Sequence, residues 1–186
     1  MPTAKRSLLI IGGLLAVMWG VELLDWIGGR WLELDQFGIV PRRLSGLLGI
    51  PLAPFLHCGW SHLAANILPF AILGLFVIGG GRRTFWVVSA GIVVLGGLAV
   101  WLLGRGHTVH VGASGVIFGY FGYLVALGVI ERSVVSILRA LVVGFFYGSI
   151  IWGVLPNQRG VSWEGHLFGL LAGITMACHS SRYGLK

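Results

Sequence analysis

The chain has 186 residues, of which 56% are apolar and only 10% are charged, and its mean hydropathy is +0.91. A soluble domain carries about a quarter of its residues as charged ones, so this composition excludes a water-soluble enzyme or binding module. The net charge of +7 suits an anionic lipid surface, and we expect no nucleic-acid partner because no polar segment carries a basic patch. With hardly any polar stretch, residues 1–186 are expected to form one integral membrane domain without an accessory domain.

Six apolar runs are long enough to cross a bilayer, and they begin near Ser7, His62, Thr84, Ala113, Val134 and Glu164. The first run is too long for a signal-peptide core and leads to no small-residue cleavage site, so we expect it to remain as a helix. Only one connection is long, from about Gly28 to Pro54. It is too broken by glycine and proline to span, and too apolar for water, so we expect it at or partly inside the membrane interface.

An even number of spans places both chain ends on one side of the membrane. Lys and Arg number eight on that side and five on the other, which predicts cytoplasmic termini. The eight are Lys5, Arg6, Arg82, Arg83, Arg132, Arg139, Arg182 and Lys186, and the five are Arg30, Arg42, Arg43, Arg105 and Arg159. Tryptophans close to predicted helix ends are expected to anchor at the headgroups, namely Trp26, Trp60, Trp86, Trp101 and Trp163.

Polar residues recur at the starts of spans two, four and six, which all lie on the extracytoplasmic side in this topology. These residues are His62 with Asn66, then Ser114, then His166. Ionisable groups inside spans are costly and rare, so each one is a functional-site hypothesis. A catalytic site needs its groups within reach of one reacting atom, and three polar elements at one depth satisfy that need. The pattern favours a serine hydrolase that works inside a membrane.

Glycine spacing predicts which spans touch. Gly115 and Gly119 are four residues apart on span four, and Gly165, Gly169 and Gly173 are four apart on span six. Such stripes let membrane helices approach closely, and most of them serve packing alone. Here each stripe adjoins a candidate catalytic residue, so facing stripes would bring the serine hydroxyl to the imidazole.

The candidate roles follow from the chemistry of acyl transfer, which needs a base for the serine proton and donors for the oxyanion. His166 is the candidate base, and because it has no obvious carboxylate partner we expect a dyad whose ring is steered by stacking on Phe118. The Asn66 amide and the backbone N–H of Ser114 are candidate oxyanion donors. Taken singly, Asn66 could equally make an interhelical hydrogen bond, and His62 could be an interfacial histidine that snorkels.

Three segments resemble the rhomboid family of intramembrane serine proteases in order and spacing: His57 to Asn66 (HCGWSHLAAN), Gly112 to Gly119 (GASGVIFG) and Gly165 to Gly173 (GHLFGLLAG). The resemblance covers about residues 37–173. It implies a six-helix, all-α bundle with a short central fourth helix and a first loop embedded sideways in the outer leaflet. It also implies a gate for substrate entry, formed by the fifth helix and the loop before the sixth.

The same resemblance implies the roles of individual residues. It makes Ser114 the nucleophile and His166 the general base, with His62 and Asn66 around the oxyanion, where we also expect Gly112. It further implies membrane-protein substrates with one or several spans, and, for this minimal form, a bacterial inner membrane. Two features depart from the family: the first loop has Arg42, Arg43 and Leu44 where a Trp-Arg pair is common, and Phe118 stands where tyrosine is frequent.

Other reactive residues receive no role, and we expect neither a metal nor another cofactor. His107 and His110 are interpreted as two solvent-facing histidines, since no further ligand types lie nearby. A disulfide between Cys58 and Cys178 is implausible because the two lie near opposite faces. Two other functions stay open: a non-catalytic rhomboid-like protein that binds membrane clients, and a small-solute transporter. The presence of both Ser114 and His166 disfavours the first, and the lack of internal repeat symmetry disfavours the second.

Overall fold

The computed structural model describes residues 3–29, 32–156 and 160–184. Its helices are α1 (Thr3–Gly28), the short α2 (Gly49–Leu52), α3 (Trp60–Ile78), α4 (Arg82–Leu103), α5 (Ser114–Glu131), α6 (Val134–Tyr147) and α7 (Trp163–Tyr183). In these three ranges there is no β-strand, and only an isolated antiparallel bridge joins Ile39 to His110. The predicted all-α class is therefore confirmed.

The six long helices correspond to the six predicted spans, and each begins within four residues of the predicted start. Among the described residues, five segments are long and apolar enough to cross a bilayer, namely Ala4–Gly28, Trp60–Ile78, Arg82–Leu103, Ser114–Glu131 and Val134–Val154. The last of these includes a 3-10 helix, Gly148–Val154, that continues α6. Helix α7 has 21 residues, about 30 Å of helix. It is less apolar because it carries Glu164, His166 and His179.

Helix α5, the predicted central fourth span, is the most enclosed of the five apolar segments, with half of its residues buried. It packs against α3, α4, α6 and α7. Tyr120 lies at its centre with 1% of its surface exposed, beside the rings of Phe70 and Phe85. The Tyr120 hydroxyl satisfies its hydrogen-bonding need with Ser89 Oγ at 2.6 Å. The predicted arrangement of a short helix inside a bundle is thus present.

The two glycine stripes face each other. A Cβ atom on Gly169 would lie 2.1 Å from the carbonyl oxygen of Gly115, and one on Gly173 would lie 1.9 Å from that of Gly119. No side chain larger than hydrogen fits at either position without moving backbone. The helices α5 and α7 therefore meet backbone to backbone, which brings their N-terminal ends close together.

The long first loop, residues 32–59, is built from short helical turns rather than from a span. Its buried side chains, Ile39, Ile50 and Ala53, pack with Val100 of α4. Leu44 and Leu48 point away from the protein, with 81% and 72% of their surfaces exposed. Apolar side chains on that outer surface suit a loop that lies in the membrane interface.

Contacts with the C-terminal end of α4 show how a loop without the Trp-Arg pair is held. Arg42 Nη1 donates hydrogen bonds to the carbonyls of Leu102 and Gly104, at 3.1 and 2.8 Å. In return, the Trp101 indole N–H donates to the carbonyl of Arg43 at 2.8 Å. The cationic side chain satisfies carbonyls that end a helix, where positive charge is favourable.

Membrane orientation stays a prediction, and three of its charges, Arg30, Arg159 and Lys186, lie outside the described residues. Of the predicted anchors, Trp26 and Trp86 are 67% and 49% exposed, as side chains at a headgroup would be. Trp60 instead packs against the rings of Trp19 and Trp26.

Candidate active site

A cavity of about 590 Å³ opens between the N-terminal ends of α3, α5 and α7. Its lining includes five residues that the sequence singled out: His62, Asn66, Ser114, Phe118 and His166. Their positions span 105 residues of sequence, so only the packing of α5 between α3 and α7 brings them to one space. The side chains predicted to converge therefore line one cavity.

Ser114 is the first residue of α5, where backbone N–H groups are not used within the helix. The preceding Gly112 has φ +111°, a conformation that disfavours any side chain, and its N–H donates to the Ala53 carbonyl. A Cβ on Gly112 would lie 2.8 Å from His62 Nε2 and 3.7 Å from Ser114 Oγ. Both atoms therefore face the same small space, which is kept open by the absence of a side chain.

His166 lies in the first turn of α7, and two contacts orient its ring. Nδ1 is 2.8 Å from the carbonyl oxygen of Gly153. Because a carbonyl only accepts, Nδ1 must carry the proton, and the neutral ring then has its lone pair on Nε2. The ring also stacks on Phe118, with centroids 4.2 Å apart and planes 5° from parallel. The stacking predicted from the sequence is present, and the imidazole is held as a hydrogen-bond acceptor at Nε2.

The carbonyl of Gly153 is a site component that sequence reasoning missed. It belongs to the 3-10 helix after α6, and a backbone carbonyl leaves no residue signature that could have revealed it. Between Ser114 and His166 themselves, both of which are among the described residues, there is no direct hydrogen bond. Catalytic hydrogen bonds are often long before substrate binds, so this geometry does not exclude a dyad.

On the other side of Ser114, His62 and Asn66 share one face of α3, as their spacing predicts. His62 Nδ1 accepts the backbone N–H of Cys58 at 3.2 Å, which leaves the proton of a neutral ring on Nε2, the atom beside Gly112. Asn66 is buried and its Nδ2 donates to the His62 carbonyl at 2.7 Å. That bond uses one amide hydrogen, and the second is available to the cavity. The observed hydrogen bond of Asn66 therefore lies within α3 and does not join two helices, which was the alternative interpretation of this residue.

His57 supports the same region from the loop before α3, a role the sequence did not indicate although the residue lies in a quoted motif. Its Nε2 accepts the backbone N–H of Ala113 at 3.4 Å, and its ring meets that of His62 edge-on at 5.1 Å. Only 3% of the residue is exposed, and burial lowers the pKa of His57 to about 4. His57 is therefore neutral at physiological pH.

Residues 45–183 match the family model for the rhomboid domain, which covers most of the chain. The chain belongs to the rhomboid family. This rhomboid is 40% identical to an uncharacterized protein of Mycobacterium tuberculosis, Rv1337, over 94% of its own length and 78% of the relative. It is 36% identical to the uncharacterized protein ML1171 of Mycobacterium leprae, over 94% of this chain and 74% of the relative. It is 27% identical to YdcA of Bacillus subtilis, over 66% of this chain and 61% of the relative. The name of that relative describes it provisionally as a rhomboid protease.

One histidine of this rhomboid differs from the prediction. His107 is exposed, as expected, but His110 is only 4% exposed and is not solvent-facing. Its Nδ1 is 2.6 Å from Ser162 Oγ and its Nε2 is 3.0 Å from Thr108 Oγ1. Both ring nitrogens are satisfied inside the protein, and burial lowers the pKa of His110. Loop chemistry alone could not reveal this, because Ser162 comes from a segment 52 residues away.

The rhomboid also carries an ion pair at the cavity that the sequence did not assign. Arg105 Nε lies 2.5 Å from Glu164 Oε1, and the glutamate is 2% exposed. A signal was available, since an acidic residue at the start of a span needs a partner and both residues fall on the predicted extracytoplasmic side.

In the part of the chain that the structure describes, no group of three or more His, Cys, Asp or Glu residues could hold a metal ion. Cys58 and Cys178 are both free, exposed thiols.

Proposed function

We propose that this rhomboid is an intramembrane serine endopeptidase that hydrolyses peptide bonds in or next to the transmembrane helices of membrane proteins. The observation that carries the proposal is the state of His166. Its Nδ1–H is committed to the Gly153 carbonyl at 2.8 Å, so Nε2 is the basic nitrogen, in the cavity that also contains Ser114. A lone serine or a lone histidine would not imply hydrolysis. A serine hydroxyl and an imidazole whose Nε2 is free to accept a proton, both in one cavity, do support it.

The reaction begins when His166 Nε2 accepts the hydroxyl proton of Ser114 as Oγ bonds to the carbonyl carbon of the substrate. The tetrahedral intermediate collapses when the C–N bond breaks and His166 returns that proton to the leaving amine. Water then attacks the resulting ester, with His166 again acting first as base and then as acid. The carbonyl of Gly153 and the ring of Phe118 keep the imidazole in one orientation through both halves.

Three donors are available for the oxyanion of each tetrahedral intermediate. They are His62 Nε2–H, the unused amide hydrogen of Asn66 and the backbone N–H of Ser114 at the start of α5. Preorganised donors of this kind stabilise developing charge strongly in a site that excludes bulk water. Gly112 contributes by having no side chain, because a Cβ there would occupy the space in front of His62 Nε2.

The substrate must present its backbone at the depth of Ser114, below the membrane surface. A regular helix hides its carbonyls behind main-chain hydrogen bonds, so the substrate has to unwind locally. Residues of poor helix propensity near the outer end of the substrate's span would lower that barrier, glycine by about 1 kcal/mol relative to alanine. We infer that the partners are single-span or multi-span membrane proteins cut near the extracytoplasmic face. The inferred location is a bacterial inner membrane with cytoplasmic termini.

The test is covalent labelling of the purified protein in detergent by a fluorophosphonate probe, together with cleavage of a single-span reporter in liposomes. Wild-type protein should be labelled on Ser114 and should cut the reporter. Ser114→Ala and His166→Ala should each abolish both signals with unchanged melting temperature, and the double variant should be no worse than either single. A wild-type protein that binds the reporter but is neither labelled nor active would favour the client-binding alternative.

A further inference from the structure

Loop 104–113, which connects α4 to α5, is fastened to the start of α7 by contacts that the proposed mechanism does not use. Arg105 Nε and Nη2 donate to the Glu164 carboxylate at 2.5 and 3.1 Å, and the Arg105 backbone N–H lies 3.3 Å from the same group. Nη2 also donates to the Val161 carbonyl at 3.0 Å. The guanidinium thereby ties the loop both to α7 and to the segment that leads into it.

A second connection lies beside the first. The Thr108 hydroxyl donates to the Arg105 carbonyl at 2.7 Å, so it accepts a hydrogen from His110 Nε2. His110 Nδ1 is then the acceptor for the hydroxyl proton of Ser162, 2.6 Å away. Ser162 is the N-cap of α7, and the same oxygen accepts the backbone N–H of Gly165. One hydroxyl therefore both begins α7 and holds it to the loop.

Both connections lie next to the proposed dyad in sequence and in space. Loop 104–113 leads directly into Ser114, four residues after His110. On the other side, His166 follows Glu164 by two residues, and its backbone N–H bonds the Ser162 carbonyl within the first turn of α7. The glycine stripes hold α5 and α7 side by side from Gly115 and Gly165 onward. The two connections add polar contacts between the residues that precede each helix and its first turn.

Burial shows which partner depends on the other. Glu164 is 2% exposed, whereas 48% of the Arg105 side chain is exposed. An uncompensated carboxylate at a buried position is far more costly than a guanidinium that water can reach. The arginine therefore neutralises a charge that α7 could not otherwise bury two residues before His166.

We propose that the paired contacts Arg105–Glu164 and His110–Ser162, here called the loop clamp, form a positioning device that sets the His166 ring relative to Ser114. The proposal rests on the proposed protease function. Arg105, His110 and Ser162 also line the cavity, but their polar side-chain atoms are bonded to other residues of the protein. The clamp members are therefore positioning residues that act through the first turn of α7. Loss of the loop clamp should lower the rate of chemistry and leave reporter binding unchanged.

The experiment compares Glu164→Gln with Arg42→Gln in full-length protein. The control is matched because Arg42 fastens the first loop to the C-terminal end of α4, and the two hydrogen bonds of its side chain go to the carbonyls of Leu102 and Gly104 and not to α7. Glu164→Gln should lower kcat on the reporter at least about tenfold with KM within about twofold, since a misplacement of about 1 Å can cost a hundredfold. Fluorophosphonate labelling should slow by the same factor. Arg42→Gln should leave both rates within about twofold of wild type.

Two further variants keep the test decisive. Arg105→Gln, which leaves the buried carboxylate unpaired, should be more damaging than Glu164→Gln, and the double variant Arg105→Gln/Glu164→Gln should recover part of that loss. If Glu164→Gln does not fold, Ser162→Ala, which keeps the ion pair, should still slow labelling without raising KM. Hydrogen exchange should rise in residues 163–168 of the clamp variants and not in the control.

Separate outcomes refute the two proposals. If wild-type protein is neither labelled nor active, the protease function fails, whereas the hydrogen-exchange difference still tests the clamp as an anchor of α7. If wild-type protein is active and the clamp variants match Arg42→Gln in labelling, kcat and exchange, the positioning role is wrong. A rise in KM at constant kcat would equally overturn it, because it would assign Arg105 and Glu164 to substrate binding.

Discussion

Replacement of Gly169 by alanine tests the link between helix packing and chemistry most directly. Gly169 is three residues after His166 on α7, and it faces Gly115, the neighbour of Ser114 on α5. The added Cβ would lie 2.1 Å from the Gly115 carbonyl oxygen, and the two next-nearest atoms are also backbone. No flexible side chain can move aside, so the helices themselves must separate.

The required separation follows from the contact distance. An ordinary contact begins at about 3.4 Å, so the two backbones must move apart by about 1.3 Å along that direction. Overpacking in a well-packed core costs about 1 to 3 kcal/mol, and a chain of this size loses about 2 to 4 °C of melting temperature per kcal/mol. A shift of about 1 Å between two catalytic groups can cost about a hundredfold in rate. We therefore expect Gly169→Ala to lower the rate of fluorophosphonate labelling at least about tenfold.

Two matched glycine variants calibrate the result. Gly13→Ala on α1 meets nothing within 4 Å, so it should keep full labelling and gain up to about 1 kcal/mol from helix propensity. Gly115→Ala meets the Gly165 carbonyl at 3.3 Å and should fall between the two. The assay is labelling rate and melting temperature in one detergent. Equal behaviour of Gly169→Ala and Gly13→Ala would refute the claim that backbone contact between α5 and α7 aligns the dyad.

Variants at three further positions test single contacts. Asn66→Ala should lower turnover about a hundredfold or more, while labelling by a small, reactive probe stays detectable; parallel loss of turnover, labelling and folding would make Asn66 a packing residue. Phe118→Leu should slow turnover about 2- to 10-fold because the stack on His166 is lost, and Phe118→Tyr should retain the rate. His57 should make stability fall between pH 6.5 and about 4, by at most about 3 kcal/mol, because the unfolded chain binds a proton there that the folded chain does not. His57→Gln should flatten this part of the pH profile of melting temperature, and an unchanged slope would contradict the assignment.

Much of the fold is predictable from the sequence because a bilayer imposes simple rules. Hydropathy and length locate the spans, since each has to satisfy its own backbone hydrogen bonds in lipid. The glycine stripes predict the α5–α7 contact, because two residues without side chains, such as Gly169 and Gly115, permit an approach that no other pair allows. The stack of Phe118 on His166 follows from the same helix register.

Other parts of the site could not be predicted because they depend on loops. The Gly153 carbonyl reaches His166 only because α6 tightens into a 3-10 helix, and no residue type signals which carbonyl will point inward. The buried position of His110 could not be predicted from its own loop, because its partner Ser162 comes from another connection. The contacts of Arg42 with the end of α4 were unforeseen for the same reason. Interactions between loops depend on the final packing, which local patterns do not encode.

A site without a carboxylate behind its histidine places particular demands on its other groups. In a triad, the carboxylate fixes the tautomer of the imidazole and also stabilises the imidazolium that forms during attack. Here the Gly153 carbonyl can do the first but supplies no full negative charge, and Glu164 is already neutralised by Arg105. In the proposed mechanism the counter-charge to the imidazolium is the oxyanion itself. Because these two charges form together, the donors on the far side of Ser114, His62 and Asn66, lower the barrier to proton transfer as well as the barrier to bond formation.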